Sequence, residues 1–244
     1  MQSQRIACVF AHPDDETFCV GGIIAKYADA GHRIDLFCAT NGDAGKNAGV
    51  PVSSRQELAE LRKAELAAAA RVLGIASVET PGYGDGALGT LDPTPIIGHI
   101  VAFIRRHQPD VILTFGPEGA PTGHRDHSAI SRATTAAFFL AELATQYPEQ
   151  IAHGLRPHRP ARLFYQSWSY PMADPRLNLE PVPPTVVIDV RAWRHRKIAA
   201  FQAHATQQLS AKAFESTLVG EERLAFAAGV PQPRAEITDL FDGL

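Results

Sequence analysis

The chain has 244 residues, of which 45% are hydrophobic and 20% are charged, and its formal net charge is −3. These values are typical of an ordinary globular protein with ample core, and they give no global attraction to nucleic acid. The apolar stretches are too short to span a membrane, and no basic-then-apolar signal precedes the first of them, so we expect a cytoplasmic protein. Three cysteines without a C-x-x-C spacing argue against a disulfide framework or a thiolate zinc site.

Strand-like and helix-like segments alternate along the chain, which is the pattern of βαβ units around a parallel sheet. Apolar runs predict strands at 6–10, 34–39, 77–79, 111–115, 161–167 and 186–190. Helical spacing predicts a helix that ends at Gly31, further helices at 54–73, 95–107 and 126–143, and a last one that begins near Arg191 and carries His204. Residues 170–184 contain five prolines and are expected to form a lid-like excursion, whereas the chain after Val219 has no clear pattern.

The fold that we predict from this alternation is α/β. It is a single Rossmann-like three-layer domain over residues 1–244, with a mostly parallel sheet and an elaborated C-terminal part. It is not expected to bind a dinucleotide, because the first strand-to-helix turn carries carboxylates instead of a G-x-G-x-x-G motif.

The first predicted strand is followed directly by Ala11-His12-Pro13-Asp14-Asp15-Glu16. An imidazole and three carboxylates therefore emerge at the carboxyl end of a strand, where open α/β sheets place their ligands. A second cluster at 123–127 follows the strand at 111–115 in the same way. Two such clusters at one sheet edge favour a metal site for hydrolysis. The alternative is that Asp14 and Asp15 only cap the next helix, with His12 as an ordinary loop residue.

These motifs resemble the PIG-L/LmbE-like family of zinc-dependent N-deacetylases. The family's opening A-H-P-D-D-E is unchanged here, and its second motif, usually H-P-D-H, is present as His124-Arg125-Asp126-His127. Weaker similarities follow in the family's order at 40–43, 62–66, 72–74, 84–86, and from Lys197 to the segment 204–207. The resemblance covers most of the chain. It implies a metal-dependent hydrolase that removes an acetyl group from an N-acetylated amino sugar or small glycoconjugate.

The resemblance implies that His12, Asp15 and His127 hold Zn²⁺ and leave one position open for water. Two imidazoles and a carboxylate also form the facial set of non-haem iron enzymes, so Fe²⁺, Mn²⁺ and Co²⁺ stay open as alternatives. The family assigns Asp14 as the general base that takes a proton from the activated water. Side chains of adjacent loop residues usually diverge, so Asp14 is not expected to bind the same ion as Asp15.

His124 is the candidate donor to the oxyanion, expected to be protonated and held by Asp126. Two departures from the family bear on this role. Arg125 replaces the family's proline and adds a cation that would lower the pKa of His124. Thr122 stands where some sugar deacetylases carry a tyrosine, and it is too short to replace that donor.

Further site residues follow from the resemblance. Arg62 and Asp85 occupy the family's substrate-pocket positions, where they would bond sugar hydroxyls or an anionic group. A helix-surface ion pair for Arg62 and a turn-forming role for Asp85 are the alternatives. Asn41 and Asp43 are expected to line or brace the site. His204 would support the site, with a surface or interface histidine as the equal alternative.

Other functions stay open at this point. An amidase of a thiol conjugate or another small acylamide would carry the same motifs. An Fe(II)-dependent oxygenase could use the same three metal ligands, and a non-catalytic metal-binding protein would not need Asp14. The expected partner is a small N-acetylated molecule, and a homo-oligomer is left open.

Overall fold

The computed structural model describes residues 3–119, 121–168, 180–234 and 237–244. Within these residues, seven strands form one sheet in the order β3-β2-β1-β4-β5-β7-β6. Their bounds are β1 Arg5–Phe10, β2 Arg33–Cys38, β3 Ser77–Glu79, β4 Val111–Phe115, β5 Arg162–Ser167, β6 Val186–Asp189 and β7 Glu221–Gly229. The strands from β3 to β5 in this order are parallel, and β7 is antiparallel to both of its neighbours. The predicted α/β class with a mostly parallel sheet is confirmed.

Helices cover both faces of the sheet. Their bounds are α1 Asp15–Asp29, α2 Arg55–Leu73, α3 Pro93–His107, α4 Arg125–Leu140, α5 Pro148–Ala152, α6 Arg194–Ala203 and α7 Ala211–Ser216. Helices α1, α2 and α6 pack together, and α3 packs on α4. Right-handed crossovers put these two groups on opposite faces, which buries β1, β2 and β4 almost completely. Among the described helices, none has the length and apolar composition needed to cross a bilayer.

Helix α2 illustrates how local sequence sets the ends of an element. The Ser54 hydroxyl accepts a hydrogen bond from the amide of Glu57 and caps the first turn. Gly74 ends the helix with φ 84°, a left-handed conformation that favours glycine. These two signals set the helix where the sequence predicts it.

The C-terminal part departs most from the sequence prediction. Strand β7 was not predicted, because it opens with three charged residues and alternates only partly between buried and exposed positions. Helices α5 and α7 are too short to show helical periodicity. His204 directly follows α6 instead of lying within it. Of the predicted lid-like excursion, residues 170–179 lie outside the described residues.

Helix α1 is kinked near its first turn, and the C-terminal part supports the kink. Val20 has non-helical angles, φ −140° and ψ 21°. The carboxylate of Glu222, on β7, accepts hydrogen bonds from the amides of Gly22 and Ile23 at 2.9 and 2.7 Å. Lys197 of α6 donates a hydrogen bond to the same carboxylate at 2.8 Å, and the two side chains form a buried ion pair. Glu222 thus supplies hydrogen-bond acceptors to the two main-chain amides that the kink leaves without helical partners.

The strand order determines where a site can form. Strand β1 lies between β2 and β4, and the helices that follow β1 and β4 lie on opposite faces of the sheet. The loops after β1 and β4 therefore diverge and leave a crevice at the carboxyl edge. Both predicted motifs span the ends of these two loops and the first turns of the helices that follow, α1 and α4.

Candidate metal and catalytic site

Three buried side chains meet at the carboxyl ends of β1 and β4. His12 Nδ1 is 3.2 Å from His127 Nε2 and 3.4 Å from Asp15 Oδ2, and His127 Nε2 is 3.4 Å from Asp15 Oδ1. Ligands placed tetrahedrally at zinc distances of about 2.0–2.1 Å lie about 3.3–3.4 Å apart. The Asp15 carboxylate places one oxygen at about this spacing from each imidazole, and the donor types of the three residues suit a small divalent ion.

The second ring nitrogen of His12 faces two further carboxylates. His12 Nε2 is 3.0 Å from Asp85 Oδ1 and 3.3 Å from Asp126 Oδ2. Such carboxylates hold the ring proton of a metal-binding histidine and leave the other nitrogen free as a ligand. Asp126 was expected to hold His124, but its carboxylate faces His12 and accepts the amide of Gly86 at 2.8 Å. The expectation fails because the turn at 84–86 lies against α4 and draws this carboxylate toward His12.

The other metal-site imidazole is held by an aromatic stack. The ring of His127, in the first turn of α4, is parallel to Phe115 with centroids 3.9 Å apart. Thr122 Oγ1 is 3.5 Å from His127 Nδ1. The last residue of β4 thus fixes the ring plane of a residue twelve positions later in the chain.

The two adjacent aspartates of the first loop diverge, as the sequence predicts. Asp15 accepts the amide of His12 at 2.7 Å and faces the imidazoles. Asp14 has φ 118°, and its carboxylate makes no capping hydrogen bond to α1. It lies instead 3.5 Å from Arg62 Nη2. The interpretation of Asp14 as a simple helix cap is therefore wrong.

Burial and neighbouring charges give the two aspartates opposite pKa shifts. Burial raises the pKa of Asp14 to about 6, against the opposing effect of Arg62. Burial alone would also raise the pKa of Asp15, but His127 and His12 hold it well below its usual range. Burial would lower the pKa of His12, but the surrounding carboxylates raise it well above its ordinary value. The pocket thus concentrates negative charge that a cation neutralises.

His124 lies at the mouth of the site. It is exposed, and its ring is edge-on to that of His12 with centroids 4.9 Å apart. Its Nδ1 accepts the amide of Asp126 at 3.2 Å. Partial burial of the ring, followed by the charges of His12 and His127, lowers the pKa of His124, whereas the sequence ascribed such a shift to Arg125. Ring nitrogens of His12, His124 and His127 also lie within 4.8 Å of one another, so His124 is a geometric alternative to Asp15 as third ligand.

Arg62 lies beneath the site. Its side chain is 3% exposed and donates to the carbonyl oxygens of Pro13 at 2.5 Å and Gly42 at 3.0 Å. A Cβ atom at Gly42 or Gly45 would lie within 2.3 Å of its guanidinium, so the 42–45 loop needs glycine to accommodate it. Direct contact with substrate is not what these surroundings favour, because main-chain carbonyls and Asp14 surround the guanidinium.

Asp85 and the residues after β2 are bonded into one brace. Asp43 Oδ1 accepts the amide of Asp85 at 2.9 Å, and Asp85 Oδ2 accepts the amide of Ala44 at 3.2 Å. The other oxygen of Asp85, Oδ1, faces His12. Both carboxylate oxygens therefore have partners within the protein, which argues against the hydrogen bond to a sugar that the sequence predicts for Asp85. Asn41 lies beside the same turn near Gly82, and its buried Oδ1 has no partner within the described ranges.

The C-terminal segment contributes His204, which is fully buried and pairs with Glu16 at 2.9 Å. The interpretation of His204 as a surface histidine is therefore wrong. Sequence reasoning assigned no role to Glu65, Thr206 and Gln207, all buried around this pair. Glu65 lies in the family-like segment 62–66, and Thr206 and Gln207 lie in the family-like segment 204–207. The sequence indicates both segments but not that they contact each other.

Comparisons with known proteins identify the family and the fold. Residues 7–138 match the family model PIG-L, GlcNAc-PI de-N-acetylase. In an alignment 290 positions long, gaps included, the chain is 31% identical to a 1D-myo-inositol 2-acetamido-2-deoxy-alpha-D-glucopyranoside deacetylase of Rhodococcus erythropolis. The alignment covers 99% of this chain and 98% of the relative. It is 31% identical to a probable N-acetyl-alpha-D-glucosaminyl L-malate deacetylase 2 of Bacillus anthracis, covering 85% and 83%. The N,N'-diacetylchitobiose deacetylase of Pyrococcus horikoshii has the same fold, with a TM-score of 0.77 at 21% identity over 98% of this chain and 88% of that one.

Proposed function

Because this chain belongs to the PIG-L family, we propose that it is a metal-dependent N-deacetylase that acts on an N-acetylated amino sugar conjugate. The observation that carries this proposal is the meeting of His12, Asp15 and His127, together with a separate carboxylate, that of the adjacent residue Asp14, which faces Arg62 instead of the imidazoles. Hydrolysis of an unactivated amide needs an electrophilic centre and a base, and the two sets of groups match these needs.

Zinc is the ion that we propose for His12, Asp15 and His127. When bound there, it would supply Lewis acidity to water and to the acetamide carbonyl oxygen. Asp85 and Asp126 hold the Nε2 proton of His12, which keeps Nδ1 free as a ligand. Fe²⁺, Mn²⁺ and Co²⁺ suit the same donors and are outcomes of the experiment below.

Asp14 is the proposed general base. With a pKa raised to about 6 by burial, it is mostly ionised at neutral pH and is a stronger base than an ordinary aspartate. A base whose pKa lies near the working pH is the most effective. Asp14 takes a proton from the attacking water and returns it to the amide nitrogen as the C–N bond breaks. Acetate and the free amine are the products.

His124 is the proposed donor to the oxyanion. The amide of Asp126 occupies its Nδ1, so the ring proton lies on Nε2, and the lowered pKa favours this neutral form. A neutral imidazole still donates Nε2–H to developing negative charge. His124 therefore need not be protonated in this role, in contrast to the expectation from sequence.

The proposed substrate class follows from the two deacetylases named above, each 31% identical to this chain. Both of their names contain an N-acetylated glucosamine, but one carries inositol and the other malate. We propose that this chain acts on the acetamide of such a sugar joined to a small second group. Since Arg62 and Asp85 are engaged within the protein, residues other than these two select the second group.

The test is amine release by metal-stripped protein reloaded separately with Zn²⁺, Co²⁺, Mn²⁺ or Fe²⁺. The panel contains N-acetylglucosaminyl inositol, N-acetylglucosaminyl malate, diacetylchitobiose and an N-acylated thiol conjugate, each with and without oxygen. We expect oxygen-independent acetate and amine release from a sugar conjugate, and release that is about 10²–10⁴-fold slower from Asp14→Asn. If only the thiol conjugate is turned over, the protein is an amidase of such conjugates and not a sugar deacetylase. If turnover requires oxygen, the protein is an oxygenase and not a hydrolase.

A further inference from the structure

We propose that His204 is a positioning residue for Asp14, acting through the carboxylate of Glu16. The functional part of this inference rests on the proposed role of Asp14 as general base. The contacts that link His204, Glu16 and Asp14 do not depend on that role.

The conformation of Asp14 needs support. Its φ of 118° is in the left-handed region, which residues other than glycine rarely adopt and which costs free energy. The Asp14 amide donates to Glu16 Oε2 at 3.0 Å, two residues later in the chain. This bond closes the turn on itself and fixes the backbone from which the Asp14 carboxylate extends.

Glu16 can hold that turn only if its own carboxylate is fixed. It is 1% exposed, and a buried carboxylate needs charged or polar partners. Glu16 Oε1 is 2.9 Å from His204 Nε2 and accepts the hydroxyl of Thr17 at 2.5 Å. One oxygen therefore faces His204 and the other faces the amide of Asp14.

The His204 ring is placed for this contact. It is 0% exposed, and its Nδ1 has no hydrogen-bond partner in the described part of the chain. A buried nitrogen without a partner lowers stability, so the ring is a poor choice for packing alone. An apolar residue of similar size could not make the polar contact with Glu16.

The segment after His204 is fastened to α2, which fixes the ring in space. Thr206 donates its amide and its hydroxyl to the carboxylate of Glu65 at 2.9 and 2.7 Å. Gln207 Nε2 donates to the carbonyl of Lys46 at 2.9 Å. The contacts with Glu65 are buried and the contact with Lys46 is partly buried, so the segment is bonded to α2 and to the loop after β2.

The same helix, α2, also contacts the loop between β1 and α1 that contains Pro13 and Asp14. Arg62, three residues before Glu65 on α2, donates to Pro13. Residues three apart lie on one helix face. Helix α2 therefore reaches the loop directly through Arg62 and indirectly through Glu65, the 204–207 segment and Glu16. This closed set of contacts sets the position of Asp14 from both sides.

The experiment compares His204→Leu with His204→Gln, whose amide nitrogen retains a donor. In His204→Leu we expect kcat to fall about 10- to 100-fold, the usual effect of a misplaced reacting group. We expect unchanged metal content and little change in KM. His204→Gln retains most of kcat. In a crystal structure of His204→Leu, φ of Asp14 leaves the positive region or its carboxylate moves away from Arg62.

The matched control is Arg162→Met. Arg162 is also 0% exposed and donates to main-chain carbonyls, including Val230, but it begins β5 at the opposite sheet edge. We expect it to lose stability while kcat per folded molecule is unchanged. An equal loss of kcat in the control would mean that His204 has only a general structural role.

Two results separate this inference from the proposed function. An active Asp14→Asn would overturn the base role but not the link, which the φ of Asp14 in His204→Leu tests directly. An unchanged φ and kcat in His204→Leu would overturn the link. If His204→Leu does not fold, Glu16→Gln removes the charge of the same link without a cavity, and full kcat in that variant would equally overturn it.

Discussion

Asp14 and Asp15 are neighbours in the chain with opposite surroundings. Asp15 faces two imidazoles, which keep the pKa of its carboxyl well below the usual range, while burial raises the pKa of Asp14 to about 6. A carboxylate that stays ionised beside imidazoles suits a metal, and one with a raised pKa suits proton transfer. The positive φ of Asp14 is what turns the two side chains apart.

This difference predicts two separable phenotypes. Asp14→Asn should keep its bound metal and lower kcat by about 10²–10⁴-fold, the usual range for lost acid–base help. Asp15→Asn should release metal, because two imidazoles alone hold zinc weakly against a chelator. Metal content by mass spectrometry after dialysis, together with kcat, checks both. Reversed phenotypes would exchange the two roles.

His124→Ala should lower kcat by about 10²–10³-fold, as expected for the loss of one oxyanion donor. Metal content should be unchanged, because Asp15 completes the ligand set. Since the donor is neutral, the alkaline limb of the pH–rate profile should stay in place. Loss of metal in this variant would instead make His124 the third ligand, which the spacing of the three imidazoles also permits.

Arg62→Met should lower kcat to a similar extent on a sugar conjugate and on a minimal acetamide. Its guanidinium bonds the Pro13 carbonyl and lies 3.5 Å from Asp14, so the loss affects the base and not one part of the substrate. Parallel kinetics on the two substrates check this. A loss confined to the sugar would restore the substrate contact expected from sequence.

At the scale of elements, a histidine fastens α3 to the sheet. His107 Nδ1 is 3.3 Å from Asp35 on β2, and Nε2 is 2.6 Å from Glu79 on β3. Burial would lower the pKa of His107, but the two carboxylates raise it from 6.5 to about 9. A raised pKa in the folded state stabilises the protein below pH 6.5, and this contribution disappears as pH rises through 9.

His107→Gln should therefore cost about 1–2 kcal/mol near pH 6.5, where the charged ring also lies favourably at a helix C-terminus. The cost should shrink above pH 9. Urea unfolding at several pH values measures it. His99→Gln is the matched control, since His99 is exposed on the same helix and bonds the Tyr83 hydroxyl at 2.8 Å. An identical pH dependence in both variants would exclude the ion pairs as its cause.

At the scale of the whole molecule, the site and the core are separate. The buried apolar residues form a cluster between the sheet and its helices, while the proposed metal ligands lie at one sheet edge. Chelation should therefore abolish activity without unfolding the chain. Metal at about 100 times its Kd should add about 2.7 kcal/mol to the free energy of unfolding.

That gain corresponds to a Tm increase of about 5–10 °C for a chain of this size. Differential scanning calorimetry with and without metal measures it, and far-ultraviolet circular dichroism shows whether the stripped protein stays folded. His12→Ala is the control and should show no metal-dependent increase in Tm. Unfolding on chelation would show instead that the metal holds the fold together.

Residue patterns alone were enough to place six of the seven described strands, the main helices and the edge of the sheet where the candidate site lies. Short apolar runs such as β4 predict strands correctly because both faces of these strands are buried. Ser54 and Gly74 mark the ends of α2, since the Ser54 hydroxyl caps the first turn and Gly74 adopts a left-handed conformation. The A-H-P-D-D-E motif indicated metal chemistry because its residue types are ligands wherever a strand end brings them together.

The partners of these side chains depend on how the folded chain packs. Asp126 faces His12 and not its sequence neighbour His124, Arg62 lies beneath Asp14, and His204 reaches Glu16 across 188 positions. Such contacts join segments that are adjacent only once the sheet has formed. Periodicity and motif spacing report local geometry, whereas the partner of a buried charge depends on packing between distant segments, so the supports of the site became visible only in the folded chain.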